Sequence, residues 1–335
     1  MVSFIEARLS ELFSSMKGKR IAVVGDLMLD RYFWGNVSRI SPEAPVPVID
    51  LETEQDRLGG AANVAKNIKA LGGEPFLIGV VGGDNSGKQL FELIRSNNFS
   101  TDGVIVDPSR PTTVKTRVIA HGQHVVRIDR ELKSDISTAI QHTIVEVLVR
   151  NLNSIDGIIL EDYNKGVIAG TLIKQVVALA SQHRKIITAD PKFNNFFEYK
   201  NVTVFKPNRK EAEEVLGMRL KSQEEIERAG KTLREQLNSQ NILLTLGERG
   251  MALFEQNGSI THVPTRARHV LDVSGAGDTV ISTLTMALAG KATMKEAVTL
   301  ANVAGGIVCG YVGIVPIDPQ ELTNEILHNT NHQDQ

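Results

Sequence analysis

From Arg20 to about Gly247, short apolar runs alternate with segments whose apolar positions recur every three or four residues. The runs "RIAVVGDL", "PFLIGVV", "GVIV", "DGIILED", "RKIITAD", "NVTVFKP" and "NILLTLG" are too short for helices and rich in Ile and Val, which predicts strands buried on both faces. Between most of them lie amphipathic stretches such as "AANVAKNIKALGG", "TLIKQVVALASQHR" and "SQEEIERAGKTLREQL". Strand and helix in turn predict an α/β fold, a doubly wound, mostly parallel sheet with helices on both faces. After Arg268 the period becomes purely helical, over Ala276–Ala289, Lys295–Cys309 and Pro319–His328. The opening "MVSFIEARLSELFSSMKGKR" carries acids and breaks its apolar run early, so it predicts an amphipathic helix rather than a signal peptide.

Two stretches break the alternation. "RYFWGNVSRISPEAPVPVIDLE" is rich in aromatic residues, Val and Pro, and "TTVKTRVIAHGQHVVRID" alternates like exposed strands. Both predict β excursions, over about 31–57 and 111–130, that pair into a small lid at one edge of the core. The rest forms one domain over 1–330, and the polar residues 331–335 predict a frayed tail.

Bulk numbers narrow the function. The chain has 335 residues, and a net charge of −2 leaves no basic field to hold nucleic acid. Cys309 is the single cysteine, which excludes an internal disulfide and suits the cytoplasm. Ala297 to Ile317 has no charge and could span a bilayer by length, but four glycines, Asn302 and Pro316 predict a buried helix and turn.

Two familiar patterns fail on inspection. "GGDNSGKQ" satisfies G-x-x-x-x-G-K from Gly82 to Lys88, yet Gln89 replaces the metal-binding hydroxyl and Asp84 would aim a carboxylate into the phosphate cradle. A turn that caps the next helix is the better reading. "GAGDTV" puts Val280 at the third glycine of a dinucleotide fingerprint and lies far from the first strand.

The same stretch, "DVSGAGDTV", does carry chemistry. Gly275, Ala276 and Gly277 precede an apolar helix, where unpaired N–H groups and the helix dipole make an anion site. Asp278 reads either as a cap of that helix or as a base that takes a proton from a hydroxyl while the amides hold a phosphoryl group. Other acids end strands on the same edge: Asp26, Asp30, Asp162 and Asp190, with Asn208 and Glu211 after "VTVFKP". In a doubly wound sheet that edge is the ligand crevice, so together they predict a polyol clamp and a Mg2+ site.

"DVSGAGDTV", "LGGAANVAKNIKALGG", "KPNRKE" and "TLGERG", in this order, resemble the signatures of the ribokinase-like (PfkB) carbohydrate kinases, and the likeness runs from about Arg20 to Leu322. Within that family "GDLMLDRYFWGNVSRISPEAPVPV", "KTRVIAHGQHVVRID", "EDYNKGV" and "ADPK" resemble bacterial D-glycero-β-D-manno-heptose 7-phosphate kinases, the first domain of bifunctional heptose kinase/adenylyltransferases. The resemblance implies a ribokinase-like fold and transfer of the ATP γ-phosphoryl group to the anomeric hydroxyl, giving a 1,7-bisphosphate for ADP-heptose and lipopolysaccharide core. It implies Asp278 as base, with Gly275, Ala276 and Gly277 as anion hole. Asn208, Arg209, Lys210 and Glu211 would lie at the ATP–Mg2+ site, the Mg2+ held by Asn208 and Glu211 through water. Thr245, Gly247 and Gly250 would line the nucleotide cleft, with Asn302 near the adenine. Asp30, Gly59, Gly60 and Asn63 would hold sugar hydroxyls. Asp272 and backbone near Gly313 would form a monovalent-cation (K+) site.

The substrate phosphate needs cations, and Lys115, Arg117, Arg127 and Lys165 are candidates, with Asp162 beside them on the sugar side. A homodimer through the lid strands follows by analogy. Ser274 and Leu58 depart from the usual threonine and proline, and the chain diverges after Gly310, where the cation site would close. No H-x-G-H motif follows, so a stand-alone kinase or one cut from a fusion is expected.

Overall fold

A computed structural model describes residues 2, 4–121, 123–265 and 270–331, with side chains to residue 328; Gly122, Arg268 and 332–335, which the sequence reading touched, lie outside them. The chain runs α1 (Glu6–Met16), β1 (Arg20–Gly25), β2 (Leu27–Ile40), β3 (Pro47–Gly60), α2 (Ala61–Ala70), β4 (Glu74–Gly82), α3 (Asn85–Ser96), β5 (Val104–Asp107), β6 (Thr113–Ala120) and β7 (Gln123–Arg130). It continues through α4 (Thr138–Asn151), β8 (Gly157–Glu161), α5 (Gly170–Gln182), β9 (Ile186–Asp190), β10 (Val204–Phe205), α6 (Arg209–Leu216), α7 (Gln223–Leu237) and β11 (Asn241–Thr245). The last elements are β12 (Met251–Phe254), β13 (Ile260–Val263), α8 (Ala276–Ala289), α9 (Met294–Val308) and α10 (Pro319–Asn331).

The main sheet has nine strands in the order β13-β12-β11-β10-β9-β8-β1-β4-β5. All its pairings are parallel except β11 with β12 and β12 with β13. β1 shows why the sheet is covered twice. Ile21 and Val23 enter one buried cluster, with α1, α2, α8 and α9, while Ala22 and Val24 enter the other, with α4, α5 and α7. This is the predicted α/β class, and the antiparallel edge hairpin β12–β13 is an addition that the sequence reading did not separate from "TLGERG". No helix of the described residues is long and apolar enough to cross a membrane, and the uncharged Ala297–Ile317 stretch is α9 and the turn after it.

A second sheet of four strands, β3-β2-β6-β7, stands at the carboxyl edge of the first. Its two excursions meet through a parallel pairing of β2 with β6, while the hairpins β2–β3 and β6–β7 are antiparallel. Successive residues face opposite sides of a strand, so Asp30, Tyr32, Lys115, Arg117, Arg127 and Asp129 share one face by register.

The G-x-x-x-x-G-K turn is closed to phosphate. Asp84 caps α3 by accepting Gly87 N–H at 2.9 Å and also takes the Thr112 hydroxyl at 2.7 Å, while Lys88 is exposed. The carboxylate therefore sits where the phosphate of a nucleotide loop would.

Candidate active site

The chain turns from β1 toward β4 on one side and returns through β8 on the other, so the sheet order switches between β1 and β8. Asp26, directly after β1, is buried there and accepts backbone N–H bonds from Tyr163 (2.7 Å), Lys165 (3.1 Å) and Val167 (3.1 Å). One carboxylate thus fixes the "EDYNKGV" turn after β8 and aims Tyr163 across the crevice.

The target is Asp278. Gly275 takes φ 79° as the N-cap of α8, a left-handed conformation that suits glycine, and the helix begins at Ala276. Asp278 falls in its first turn with only 3% of its surface exposed. Its Oδ1 accepts the Tyr163 hydroxyl at 2.6 Å, and its Oδ2 accepts the Asn63 amide at 2.7 Å. Asn63 comes from α2, which packs on α8, and the next turn of α2 supplies Asn67, whose Oδ1 takes the Thr279 hydroxyl at 3.1 Å. Among the described residues both donors to Asp278 are side chains, not the backbone N–H groups a helix cap would use. Burial pushes the Asp278 carboxyl up to about 6; the Tyr163 and Asn63 bonds oppose this, Asp190 adds to it and Lys206 opposes it.

Glu161, Asp190 and Asp278 each place a carboxylate oxygen within 4.8 Å of the other two. They come from the ends of β8 and β9 and the start of α8. Asp190 is paired with the buried Lys206 ammonium at 2.8 Å. Both Glu161 oxygens are buried without a hydrogen-bond partner, and burial with the neighbouring acids drives Glu161 strongly toward its neutral form. A divalent ion among the three would find Asp190 and Asp278 already engaged. The side-chain Oδ1 of Asn63 is also without a partner among the described residues, so unused acceptors cluster around the base.

Of the three amides expected to hold an anion, one is diverted. Ala276 N–H donates to Val273 O at 3.3 Å in the turn before the helix, whereas Gly275 and Gly277 N–H have no partner among the described residues. A Cβ at Gly277 would lie 3.4 Å from Asp190 Oδ2 and 3.6 Å from Lys206 Nζ, which places that residue beside the Lys206 ammonium. Sequence reasoning missed Lys206, although it stands in "FKPNRKE" at the end of a buried strand. It also missed Tyr163 and Glu161, whose signal was a polar "EDY" directly after an apolar run.

Beside the Gly277 amide opens a cleft of about 410 Å³ lined by Thr245, Gly247, Gly250, Ala276, Gly277, Val280 and Asn302. Asn302 donates to Pro264 O at 2.9 Å and so ties α9 to the cleft wall. Gly250 has φ 80°, and a Cβ there would meet Val263 O at 2.0 Å. Asn208 and Glu211 line no part of it and form a reciprocal cap of α6 instead. Glu211 N–H meets Asn208 Oδ1 at 2.9 Å, and Asn208 N–H meets Glu211 Oε2 at 2.8 Å. The other Glu211 oxygen takes Lys192 at 2.8 Å. Each of these oxygens keeps only a second lone pair, which fits contact with a hydrated Mg2+ and not direct ligation. Lys210 lines a separate depression with Glu213 and Met218, and Arg209 is a half-exposed neighbour of Glu213, so neither faces the cleft.

On the sugar side, Asp30 is buried and paired with Arg117 at 2.6 Å. Gly59 lies against it, since a Cβ there would fall 2.2 Å from Asp30 Oδ2, and Gly60 caps α2. Lys115 is half-buried, has no ion pair among the described residues, and stands 5.9 Å from the centre of the Tyr163 ring. Arg127 shares the Lys115 face but is exposed and paired with Asp129 at 3.0 Å. Lys165 is paired with Glu131 at 2.7 Å. Asp162 is turned inward: Tyr199 donates to one oxygen and Asn164 N–H to the other, both at 2.7 Å, so each oxygen is engaged once by the protein itself. Asp272 accepts N–H bonds from Ser274 (2.9 Å) and Gly313 (3.0 Å), which brings it beside the Gly313 turn and occupies both its oxygens once.

The family model described as pfkB family carbohydrate kinase matches residues 19–320. A protein of Geobacter sulfurreducens named bifunctional protein HldE is 42% identical over 315 residues, covering 94% of this chain and 64% of that protein. Its namesake in Helicobacter pylori strain J99 is 40% identical, covering 94% of this chain and 67% of that one. The chain thus spans about two thirds of the length of these relatives. Among solved structures, phosphofructokinase-2 from Escherichia coli in complex with potassium superposes with a TM-score of 0.75 at 19% identity, covering 94% of this chain and 99% of that one. Ribokinase of Arabidopsis thaliana complexed with ribose and ATP gives 0.70 at 20% identity, covering 92% and 99%. At such identities these two speak for the fold alone.

Proposed function

Because this chain belongs to the pfkB family of carbohydrate kinases, we propose that it transfers the γ-phosphoryl group of ATP to the anomeric hydroxyl of D-glycero-β-D-manno-heptose 7-phosphate. The observation that carries the reading is the buried Asp278 carboxylate, facing the same crevice as two unpaired amides and an ammonium. ATP lies in the Thr245–Asn302 cleft with its γ-phosphoryl against Gly275 N–H, Gly277 N–H and Lys206. The sugar lies under the four-stranded lid, its hydroxyls toward Asp30, Asn63 and Glu161. As the anomeric oxygen attacks phosphorus, its proton passes to Asp278, the bond between the γ-phosphorus and the bridging oxygen breaks, and ADP leaves with that electron pair. A carboxyl near 6 is ionised at neutral pH yet basic enough to share the proton, which suits the task. Asn208 and Glu211 would hold Mg2+ through water, and the ion would supply charge neutralisation on the phosphates. A K+ ion beside Asp272 would enter through its remaining lone pairs.

For the distal phosphate, Lys115 is the leading ligand because it alone of the four candidate cations has no ion pair among the described residues. Burial lowers its affinity for a proton, so an incoming dianion restores the charge it lacks a partner for. The heptose assignment rests on the resemblance of "GDLMLDRYFWGNVSRISPEAPVPV", "KTRVIAHGQHVVRID", "EDYNKGV" and "ADPK" to heptose 7-phosphate kinases.

The test is ADP release measured with heptose 7-phosphate, ribose, fructose and fructose 6-phosphate. The expected outcome is a preference for heptose 7-phosphate in kcat/KM of on the order of 10³ or more, the discrimination a site built for polar groups can reach. A preference for fructose 6-phosphate would reassign the substrate, and binding of ATP and sugar without ADP release would make the chain a sensor.

A further inference from the structure

We propose that Tyr163 is a positioning residue for phosphoryl transfer, whose phenol holds Asp278 ionised and oriented toward the acceptor hydroxyl. The inference rests on Asp278 being the base. The two residues are 115 positions apart and meet at 2.6 Å, at a carboxylate oxygen that has no other donor among the described residues. Asn63 occupies the second oxygen at 2.7 Å, so the carboxylate is clamped between α2 and the turn after β8. That turn is itself fixed by the three backbone bonds to Asp26.

The surroundings make the bond necessary. From β8 Glu161 faces Asp278, from the end of β9 Asp190, and just after β10 Lys206, which is bonded to Asp190. Burial and the Asp190 charge favour a proton on Asp278, and the Lys206 ammonium that opposes them is shared with Asp190. The donors from Tyr163 and Asn63 are the direct opposition to that proton. Lys115 and Lys192 stand 5.9 and 5.4 Å from the centre of the Tyr163 ring, and their charges strengthen the phenol as a donor. Burial raises the Tyr163 hydroxyl well above its usual range, so it stays protonated wherever the enzyme works. A phenylalanine would fill the same space and keep the ring between the lysines, but leave Oδ1 bare.

The experiment compares the full chain with Tyr163→Phe in two readouts. One is the carboxyl ¹³C titration of aspartate-labelled protein without ligands, the Asp278 signal being identified by its loss in Asp278→Asn. The other is kcat against pH with whichever acceptor the wild type phosphorylates. The expected result is an upward move of both midpoints by about one pH unit, with the ratio of activity at pH 8.5 to that at pH 5.5 growing on the order of ten-fold and the KM for ATP staying within about two-fold. An unchanged Asp278 midpoint overturns the proposal. If the variant fails to fold, uniform replacement of the four tyrosines by 3-fluorotyrosine, a stronger donor, must lower the Asp278 midpoint; no movement overturns it. Should Asp278→Asn keep its activity, the reading of Asp278 as base fails, whereas the carboxyl titration judges the Tyr163 bond by itself.

Discussion

Asp278 carries a cost as well as a role. Its carboxyl titrates near 6 in the folded chain against a usual value of 3.8, because burial disfavours the charge. A raised acid binds more protons folded than unfolded between those values, so it subtracts stability as pH rises through that window and the deficit persists above it. The shift corresponds to about 3 kcal/mol at most. Asp278→Asn should therefore lose activity by a factor on the order of 10³ while gaining a few degrees in Tm at pH 8, with ATP affinity little changed. Lys88→Ala should do neither, since Lys88 is exposed on a turn already filled by Asp84. Thermal melts and initial rates of both variants check this, and a large loss in Lys88→Ala would revive the nucleotide-loop reading. Asp278 and the two glycine amides were legible in the sequence because they sit within four residues of one another. Tyr163, Glu161 and Lys206 were not, because each meets Asp278 or its neighbours only through the order of strands, which local pattern does not encode. Asp162 shows the converse: it follows the right strand, yet its bonds to Tyr199 and the Asn164 amide could not be read from local pattern.

At the scale of elements, helix and strand were legible wherever apolar period and caps agreed. The reciprocal caps at Ser222–Glu225 and Thr293–Glu296 open α7 and α9 where the periodic pattern begins. The N-x-x-E of Asn208–Glu211 is such a cap too, which is why a metal motif and a helix start look alike on paper. The strands β12 and β13 escaped because four residues each give no period to read. The two β excursions pair as expected, but the parallel direction of the β2–β6 join escaped because local pattern says nothing of how distant segments are aligned. One close contact was hidden in plain sight: Gly230, inside α7, lets the helix settle on β12, and a Cβ there would fall 2.2 Å from the Phe254 ring. Gly230→Ala should thus lower stability by about 1–3 kcal/mol despite the better helix propensity of alanine, and Phe254→Leu in the same chain should recover part of it. Denaturant melts of the single and double variants decide the point; a neutral Gly230→Ala would show that the helix can lift freely.

Over the whole molecule, acids of both signs of shift set the response to pH. Asp278 and Asp162 are each raised to about 6, and Asp26 and Glu161 are raised as well, all by burial first. These lose stability as pH climbs from near 4 toward 6 and beyond. Glu296, held at about 2 by the Arg8 guanidinium, works the other way and adds stability that disappears as pH falls below its usual 4.5. That pair is partly exposed and screened, so its share is small. The balance predicts a Tm maximum near pH 4 and a decline toward pH 8 at constant ionic strength. A flat profile would mean that the crevice acids cost nothing in the folded state, and Asp278→Asn should flatten the slope in part.

The β2–β3 half of the lid hangs on very little chain. Only Asp26 separates β1 from β2, and β3 passes into α2 without an intervening residue. Asp26 fixes the Tyr163 turn, and α2 carries Asn63, so the two ends of the β2–β3 hairpin lead, one through Asp26 and one directly, to the two residues that grip Asp278. A hairpin attached this way cannot tilt over a sugar without tugging on both hands that hold the carboxylate. Occupancy above and alignment below become a single mechanical coordinate, and an empty chamber need not keep its base in firing position.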